Sequence, residues 1–142
     1  MPYLKTYDIF ISHAWKYGAD YDRLIKMLDN AFLFDYRNYS APQDKPLHNL
    51  DATDVSSKNE IKEAIHRKIR PVNIVLVISG MYYNYREWMK YEIDTAVAMQ
   101  KPIIALQPWG NSYVPADINI IADKVVGWNS DSIINAIRTY SI

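Results

Sequence analysis

Val72-Asn-Ile-Val-Leu-Val-Ile78 is a nearly continuous apolar run near the middle of the chain. A strand with water on one face alternates apolar and polar residues, whereas a parallel strand covered on both faces stays apolar throughout. The run has the length of a strand and is far too short to span a membrane. It therefore predicts a central strand of a parallel sheet that helices cover on both sides.

Outward from this run, short segments rich in β-branched residues alternate with segments of helical period. The other predicted strands are Tyr7–Ile11, Phe32–Tyr36, Pro102–Leu106 and Lys124–Gly127. The predicted helices are Asp20–Ala31, a helix that a capping box at Ser57–Glu60 opens and Pro71 ends, Arg86–Gln100, and Ser130–Tyr140. This alternation predicts an α/β fold with a doubly wound, five-stranded parallel sheet, a flavodoxin-like three-layer sandwich.

The composition excludes several classes of protein. Lys plus Arg equals Asp plus Glu at 16 each, so no net field attracts nucleic acid or anionic lipid. The absence of cysteine excludes disulfide scaffolds, thiolate zinc sites and cysteine nucleophiles. The opening MPYLKTYDIF lacks the basic start and long apolar run of a signal peptide. We therefore expect a cytoplasmic protein with no nucleic-acid or membrane partner, folded as one domain over residues 1–142.

In a doubly wound sheet the ligand lies beyond the carboxyl ends of the strands. The segments that follow the predicted strands are Ser12–Trp15, the polar stretch Arg37–Ser56, Ser79–Tyr83 and Gln107–Trp109. The stretch Arg37–Ser56 is too long for a plain connector, so it predicts a functional loop.

Common cofactor chemistries of this architecture fit the chain poorly. The four glycines form no cluster, which argues against a dinucleotide-binding turn and against a P-loop. The first and third strands end in Ser-His and Ser-Gly, not in the acidic residues of a phosphoacceptor site. His48 and His66 have no carboxylate or second histidine at ligand spacing, so no metal site is expected.

Trp88 and Glu92 remain as a candidate pair on the helix after the central strand. They lie four residues apart and therefore project from the same face, near the edge where a ligand binds. A carboxylate beside an indole suits glycosyl cleavage, because it can orient ribose hydroxyls and stabilise an oxocarbenium-like transition state. The alternative is a surface glutamate, paired with Lys90 or Arg86, next to a core tryptophan.

Two segments resemble TIR (Toll/interleukin-1 receptor) domains. Tyr7-Asp-Ile-Phe-Ile-Ser-His-Ala14 is similar to the first-strand box of bacterial TIR domains. In Ser79-Gly-Met-Tyr-Tyr-Asn-Tyr-Arg-Glu-Trp-Met-Lys-Tyr-Glu92, a strand ends in Ser, Tyr follows, and Trp precedes Glu by four residues, as in that family. The string Arg-Glu-Trp-Met-Lys-Tyr-Glu-Ile most resembles the TIR-like subfamily of bacterial and archaeal defence, which includes the signal-producing proteins of Thoeris anti-phage systems.

The resemblance implies an NAD glycohydrolase or ADP-ribosyl cyclase with Glu92 as its catalytic carboxylate. NAD would be the substrate, with no other cofactor, and the product would be a cyclic ADP-ribose-type signal or ADP-ribose. The resemblance also implies a downstream effector that the product reaches, and TIR–TIR self-association. The expected substrate-binding residues are Ser12, His13, Trp15, Ser40, Tyr83 and Trp88.

For several of these residues a structural role is the alternative. His13 either contacts a phosphate or ribose, or caps the strand end through a hydrogen bond. Trp15 either stacks on a ring or packs under the first loop. Ser12 and Ser79 are alternatively turn hydroxyls that satisfy the backbone.

The chain also departs from the family pattern. Met89 stands where many TIR domains have Cys, Trp15-Lys16 replaces small and acidic residues, and the long loop lacks the usual Pro-Gly. Two other functions therefore stay open: a non-catalytic domain for protein interaction, and a transferase that acts on a different nucleoside.

Overall fold

The computed structural model describes residues 5–13, 18–40, 55–79, 86–107 and 114–142. Inside the helices, the side chains of residues 18, 55–58 and 86–88 are not described. The predicted loop sites Trp15 and Tyr83 therefore lie outside the described residues, as does most of the stretch Arg37–Ser56.

Five parallel strands form one sheet in the order β2-β1-β3-β4-β5. The strands are β1 Thr6–Ser12, β2 Asp35–Asn38, β3 Ile74–Ile78, β4 Ile103–Leu106 and β5 Lys124–Val126. Every residue of β3 and β4 is buried, whereas the edge strands β2 and β5 are largely accessible to solvent. This pattern confirms the central position that the apolar run Val72–Ile78 predicted.

The helices are α1 Gly18–Asn30, α2 Val55–Ile69, α3 Arg86–Ala98, α4 Ala116–Ile121 and α5 Ser130–Tyr140. Helix α1 packs with α5 and helix α2 with α3, whereas α4 packs on β4. The strand order and the all-parallel pairing are those of the flavodoxin-like, doubly wound fold, which confirms the predicted fold class.

The second strand begins three residues later than predicted. Phe32 and Leu33 precede β2 in a turn, where they are 84% and 55% exposed and Leu33 has a φ of 54°. The guanidinium of Arg138 donates to both of their carbonyl oxygens. The prediction failed here because apolar residues in a turn resemble the start of a strand.

Two helix predictions also need correction. Because α2 begins at Val55, Ser57 lies inside the helix and does not cap its start, so the predicted capping box is wrong. Helix α4 was not predicted, because its six residues are too few to display a helical period. By contrast, the bounds of α5 agree with the prediction, and Asn129 caps it by accepting a hydrogen bond from the Ser132 amide.

The described helices include none with the length and apolar composition needed to cross a membrane.

Candidate active site

Glu92 occupies a core position of helix α3. The helix buries Met89, Ile93 and Ala96, which recur at helical spacing and face the sheet. Glu92 shares this apolar face, and only 3% of the residue is exposed. The interpretation of Glu92 as a solvated surface residue is therefore wrong, and the nearby Lys90 forms its ion pair with Asp94 instead.

Among the described contacts, the Ser12 hydroxyl meets the buried carboxyl. Ser12 is the last residue of β1, it is fully buried, and its hydroxyl donates to Glu92 Oε1 over 2.7 Å. A hydroxyl bound to an ionised carboxylate is a strong, charge-assisted donor. The pair joins the carboxyl end of β1 to the first half of α3, which is the edge of the sheet where a ligand was expected.

Burial raises the pKa of Glu92 to about 8. The main cause is the loss of hydration, which destabilises the charged form, and the hydrogen bond from Ser12 opposes it by stabilising the carboxylate. The site therefore holds a buried carboxyl with a strongly raised pKa, and such shifted groups cluster at functional sites.

His13 caps the strand end through a hydrogen bond, which is one of the two roles predicted for it. Its Nδ1 lies 2.9 Å from the carbonyl oxygen of Ile11, and because a carbonyl can only accept, Nδ1 must carry the proton. Burial lowers the pKa of His13, with the bond to Ile11 and the charge of Asp22 acting the other way. A neutral imidazole lacks the charge that would attract a phosphate, so we disfavour that part of the prediction.

Ser40 also binds the backbone of Ile11. Its hydroxyl oxygen accepts from the Ile11 amide over 2.8 Å, and the residue is buried just beyond the end of β2. The structure thus gathers Ser12, His13 and Ser40 around one strand end, with Glu92 in contact with Ser12.

The remaining sequence candidates fall into two groups. Trp88 lies on α3 but its side chain is not described, and Trp15 and Tyr83 lie outside the described residues. Ser79 is a buried turn hydroxyl that donates to the Leu106 carbonyl, as its alternative role proposed.

Sequence reasoning missed two residues beside the site, Tyr21 and Asn38. The Tyr21 ring stacks on His13 with centroids 4.1 Å apart and planes 21° apart. The Asn38 side chain donates to the Tyr21 hydroxyl over 2.6 Å and accepts from the Ser40 amide over 2.9 Å. Asn38 fell inside the predicted loop, and Tyr21 has only the spacing of a packing residue, so no sequence signal marked them.

Within the described ranges, no cluster of three or more His, Cys, Asp or Glu side chains is placed to hold a metal ion. The described residues offer the chemistry of a poorly hydrated carboxyl that accepts a hydrogen bond from the Ser12 hydroxyl. Such a carboxyl can stabilise a nearby positive charge when ionised and can donate a hydrogen bond when protonated.

Solved structures similar to this chain include enzymes of nucleoside chemistry. The 2-deoxyribosyltransferase of Bacillus psychrosaccharolyticus has a TM-score of 0.61 at 10% identity, with 90% of each chain covered. A CMP N-glycosidase of Clostridium botulinum has a TM-score of 0.54 at 12% identity, covering 92% of this chain and 98% of that one. A conserved protein of Enterococcus faecalis has a TM-score of 0.62 at 13% identity, covering 95% and 99%. At these identities the likeness establishes the fold alone.

No curated protein matches the sequence. The family model described as "Thoeris protein ThsB, TIR-like domain" matches residues 10–113, which include residues 10–14 of the first segment that resembles TIR domains, the whole of the second segment and all of the candidate site residues. The matched span is well over half of the chain. The chain therefore belongs to the family of Thoeris ThsB proteins with a TIR-like domain.

Proposed function

We propose that the protein cleaves NAD at the bond between nicotinamide and ribose, with Glu92 as the catalytic carboxylate. The observation that carries this proposal is the burial of the Glu92 carboxyl against the Ser12 hydroxyl, at the ligand-binding edge of the sheet. Membership of the ThsB family supports it. The names of two structural neighbours, a deoxyribosyltransferase and an N-glycosidase, support chemistry at a glycosidic bond.

In the proposed reaction the bond between the ribose carbon and the nicotinamide nitrogen breaks, and its electron pair leaves with nicotinamide. The cationic ring becomes neutral while positive charge develops on the ribose. The Glu92 carboxylate stabilises that charge at short range in a poorly hydrated site, where electrostatic interactions are strong. Water then captures the ribose carbon and loses a proton to give ADP-ribose, or a nucleophile of the same molecule captures it to give a cyclic product.

The proposed role requires the ionised form of Glu92, which its raised pKa makes the minor form at pH 7. With a pKa of about 8, roughly a tenth of the free enzyme carries the ionised carboxylate at pH 7. The cationic nicotinamide ring would favour ionisation on binding, because an opposite charge nearby stabilises the carboxylate. Substrate binding would thereby generate the reactive form.

We further propose that the product is a cyclic ADP-ribose-type signal for a downstream effector in anti-phage defence, in the cytoplasm. NAD is the only small molecule the reaction needs, and Ser12, His13, Trp15, Ser40, Tyr83 and Trp88 form its surroundings. TIR–TIR self-association belongs to the same proposal.

The test compares wild type with Glu92→Gln, which keeps the shape and an acceptor for Ser12 but cannot ionise. The matched control is Asp94→Asn, two residues along the same helix, where the carboxylate is exposed and paired with Lys90. We expect Glu92→Gln to lower NAD cleavage by a factor of about 10³ or more, as loss of a principal electrostatic group does, and Asp94→Asn to retain it. Mass spectrometry of products, from purified protein and from cells with and without phage, measures both.

Glu92→Gln activity equal to wild type would remove Glu92 from the mechanism. If wild type neither binds nor cleaves NAD under any of these conditions but associates with a second TIR-like domain, the non-catalytic interaction role replaces the proposal. Cleavage of other nucleosides in preference to NAD would favour a nucleoside transferase.

A further inference from the structure

Two side chains bind the backbone of Ile11, the residue before Ser12, one at its amide and one at its carbonyl. Ser40 accepts from its amide over 2.8 Å, and His13 donates to its carbonyl, 2.9 Å away. Side chains here form the backbone hydrogen bonds that strand pairing forms elsewhere in β1. The β1–β3 ladder fixes Ser12 on one side, where it pairs with Val77, and these two contacts fix the chain on the side of β2.

The ladder between β1 and β2 ends just before this point. The Tyr39 amide donates to the Ile9 carbonyl, and the last paired residues are Ile9 and Asn38. Alternate residues of a strand direct their backbone groups to the same neighbour, so Ile11, like Ile9, faces β2. Since β2 has ended, Ser40 and His13 take the places of its backbone partners.

Tyr21 and Asn38 connect Ser40 and His13 to each other. Asn38 accepts from the Ser40 amide and donates to the Tyr21 hydroxyl, and the Tyr21 ring stacks on His13. The contacts close a ring that starts and ends on Ile11 and passes through Ser40, Asn38, Tyr21 and His13. We call these four residues the Ile11 ring.

We propose that Tyr21 and Asn38 are positioning residues, which close the Ile11 ring and thereby hold the Ser12 hydroxyl on Glu92. The described contacts of Tyr21 and Asn38 are with His13 and Ser40, so each acts through one of these residues and then through the Ile11 backbone. The expected effect of Tyr21 and Asn38 on activity rests on the proposed catalytic role of Glu92. Their expected effect on the ionisation of Glu92 does not depend on any substrate.

Four variants separate the parts of the ring. Asn38→Ala removes both of its side-chain bonds, Tyr21→Leu removes the stack and the acceptor, and Tyr21→Phe removes only the acceptor. The control is Tyr36→Phe, because the Tyr36 hydroxyl donates to Asp29 and so also joins α1 to β2, but Tyr36 pairs with Tyr7, four residues before Ile11 in β1. Control and test variants thus lose the same kind of link between the same two elements.

The first measurement is the titration of Glu92 by ¹³C NMR in protein labelled at glutamate. The chain has only four glutamates, so Glu92→Gln identifies the signal. Ser12→Ala sets the expected direction: losing a donor to the carboxylate raises the pKa of Glu92. We expect Asn38→Ala and Tyr21→Leu to shift the midpoint the same way, Tyr21→Phe to shift it less, and Tyr36→Phe not at all.

The second measurement is NAD cleavage per folded molecule. We expect Asn38→Ala and Tyr21→Leu to lower kcat about tenfold, since they displace the Ser12 hydroxyl from the Glu92 carboxyl, and KM can change as well because Ser40 and His13 lie in the proposed NAD site. Lower thermal stability with an unchanged Glu92 titration and unchanged kcat would overturn the inference and leave a merely structural role. If wild type proves inactive on NAD, the titration alone decides the inference, so the two proposals fail separately.

Discussion

The side chains that form hydrogen bonds at the two ends of the sheet differ in their charge and in their burial. At the amino ends of the strands, charged side chains bind backbone groups: Asp123 accepts from the Ile103 amide, and Lys101 donates to the Arg70 carbonyl. At the carboxyl ends of the strands, the polar and ionisable side chains are buried. They are Ser12, His13, Ser40, Ser79 and Glu92. Partly solvated charges are easily accommodated, whereas a buried carboxyl with a hydroxyl partner destabilises the fold once it ionises. The difference indicates that one end serves stability and the other retains a group that stability alone would not favour.

The largest expected effect follows from the buried carboxyl. In the unfolded chain Glu92 ionises near 4.5, and in the folded chain near 8, so wild type loses stability as pH rises between these values. Glu92→Gln cannot ionise, and we expect it to be more stable than wild type by about 3–5 kcal/mol at pH 9 but nearly equal at pH 4. Urea unfolding at both pH values measures the difference. A variant that is less stable than wild type at pH 9 would contradict the contrast between the two ends.

The pH dependence of activity sharpens the same contrast. If the carboxylate is the reactive form, kcat/KM for NAD should rise about tenfold per pH unit below pH 8 and level off above it. Ser12→Ala should move this limb to higher pH, because the carboxylate loses a donor. Asp94→Asn, which removes the exposed carboxylate that pairs with Lys90, should leave this rising part of the pH profile unchanged. A flat wild-type profile between pH 6 and 9 would argue against ionisation of Glu92 in the mechanism.

The smallest expected effect lies at the amino ends. Asp123 Oδ2 accepts from the Ile103 amide over 2.8 Å, at the start of β4. Asp123→Ala should lower the free energy of unfolding by about 1–2 kcal/mol, since it leaves a partly buried amide without that acceptor. Cleavage of NAD per folded molecule should not change. A fall in kcat at unchanged folded fraction would mean that the two ends of the sheet are coupled.

The fold was largely predictable because its signals are local. A strand buried on both faces, such as Val72–Ile78, cannot be mistaken for a solvated one, and α5 has both a cap and a clear apolar face. The errors occur where local signals mislead: Phe32 and Leu33 are apolar but lie in a turn, and Ser57 has capping neighbours but lies inside a helix. The short α4 offers no period to detect.

The site was predictable only in part, because burial of a polar residue depends on distant segments. Spacing placed Glu92 on the correct edge, but a helical glutamate is ordinarily solvated, and only the family resemblance favoured a buried, reactive one. Ser12 and His13 lie in the segment that resembles TIR domains. Tyr21 and Asn38 are 17 residues apart, and their contact arises only when α1 packs beside the end of β2. No local sequence pattern predicts the contact between Tyr21 and Asn38.

The hydrogen bond between Ser12 and Glu92 joins residues 80 positions apart in the chain. Closing so long a loop is entropically unfavourable until β1 has paired with β3 and α3 has docked on the sheet. The bond can therefore form only late in folding, after the central strands are in register. If Glu92 cleaves NAD as proposed, a partly folded chain would lack the assembled site, and the rise of the Glu92 pKa would report that β1 and α3 have come together.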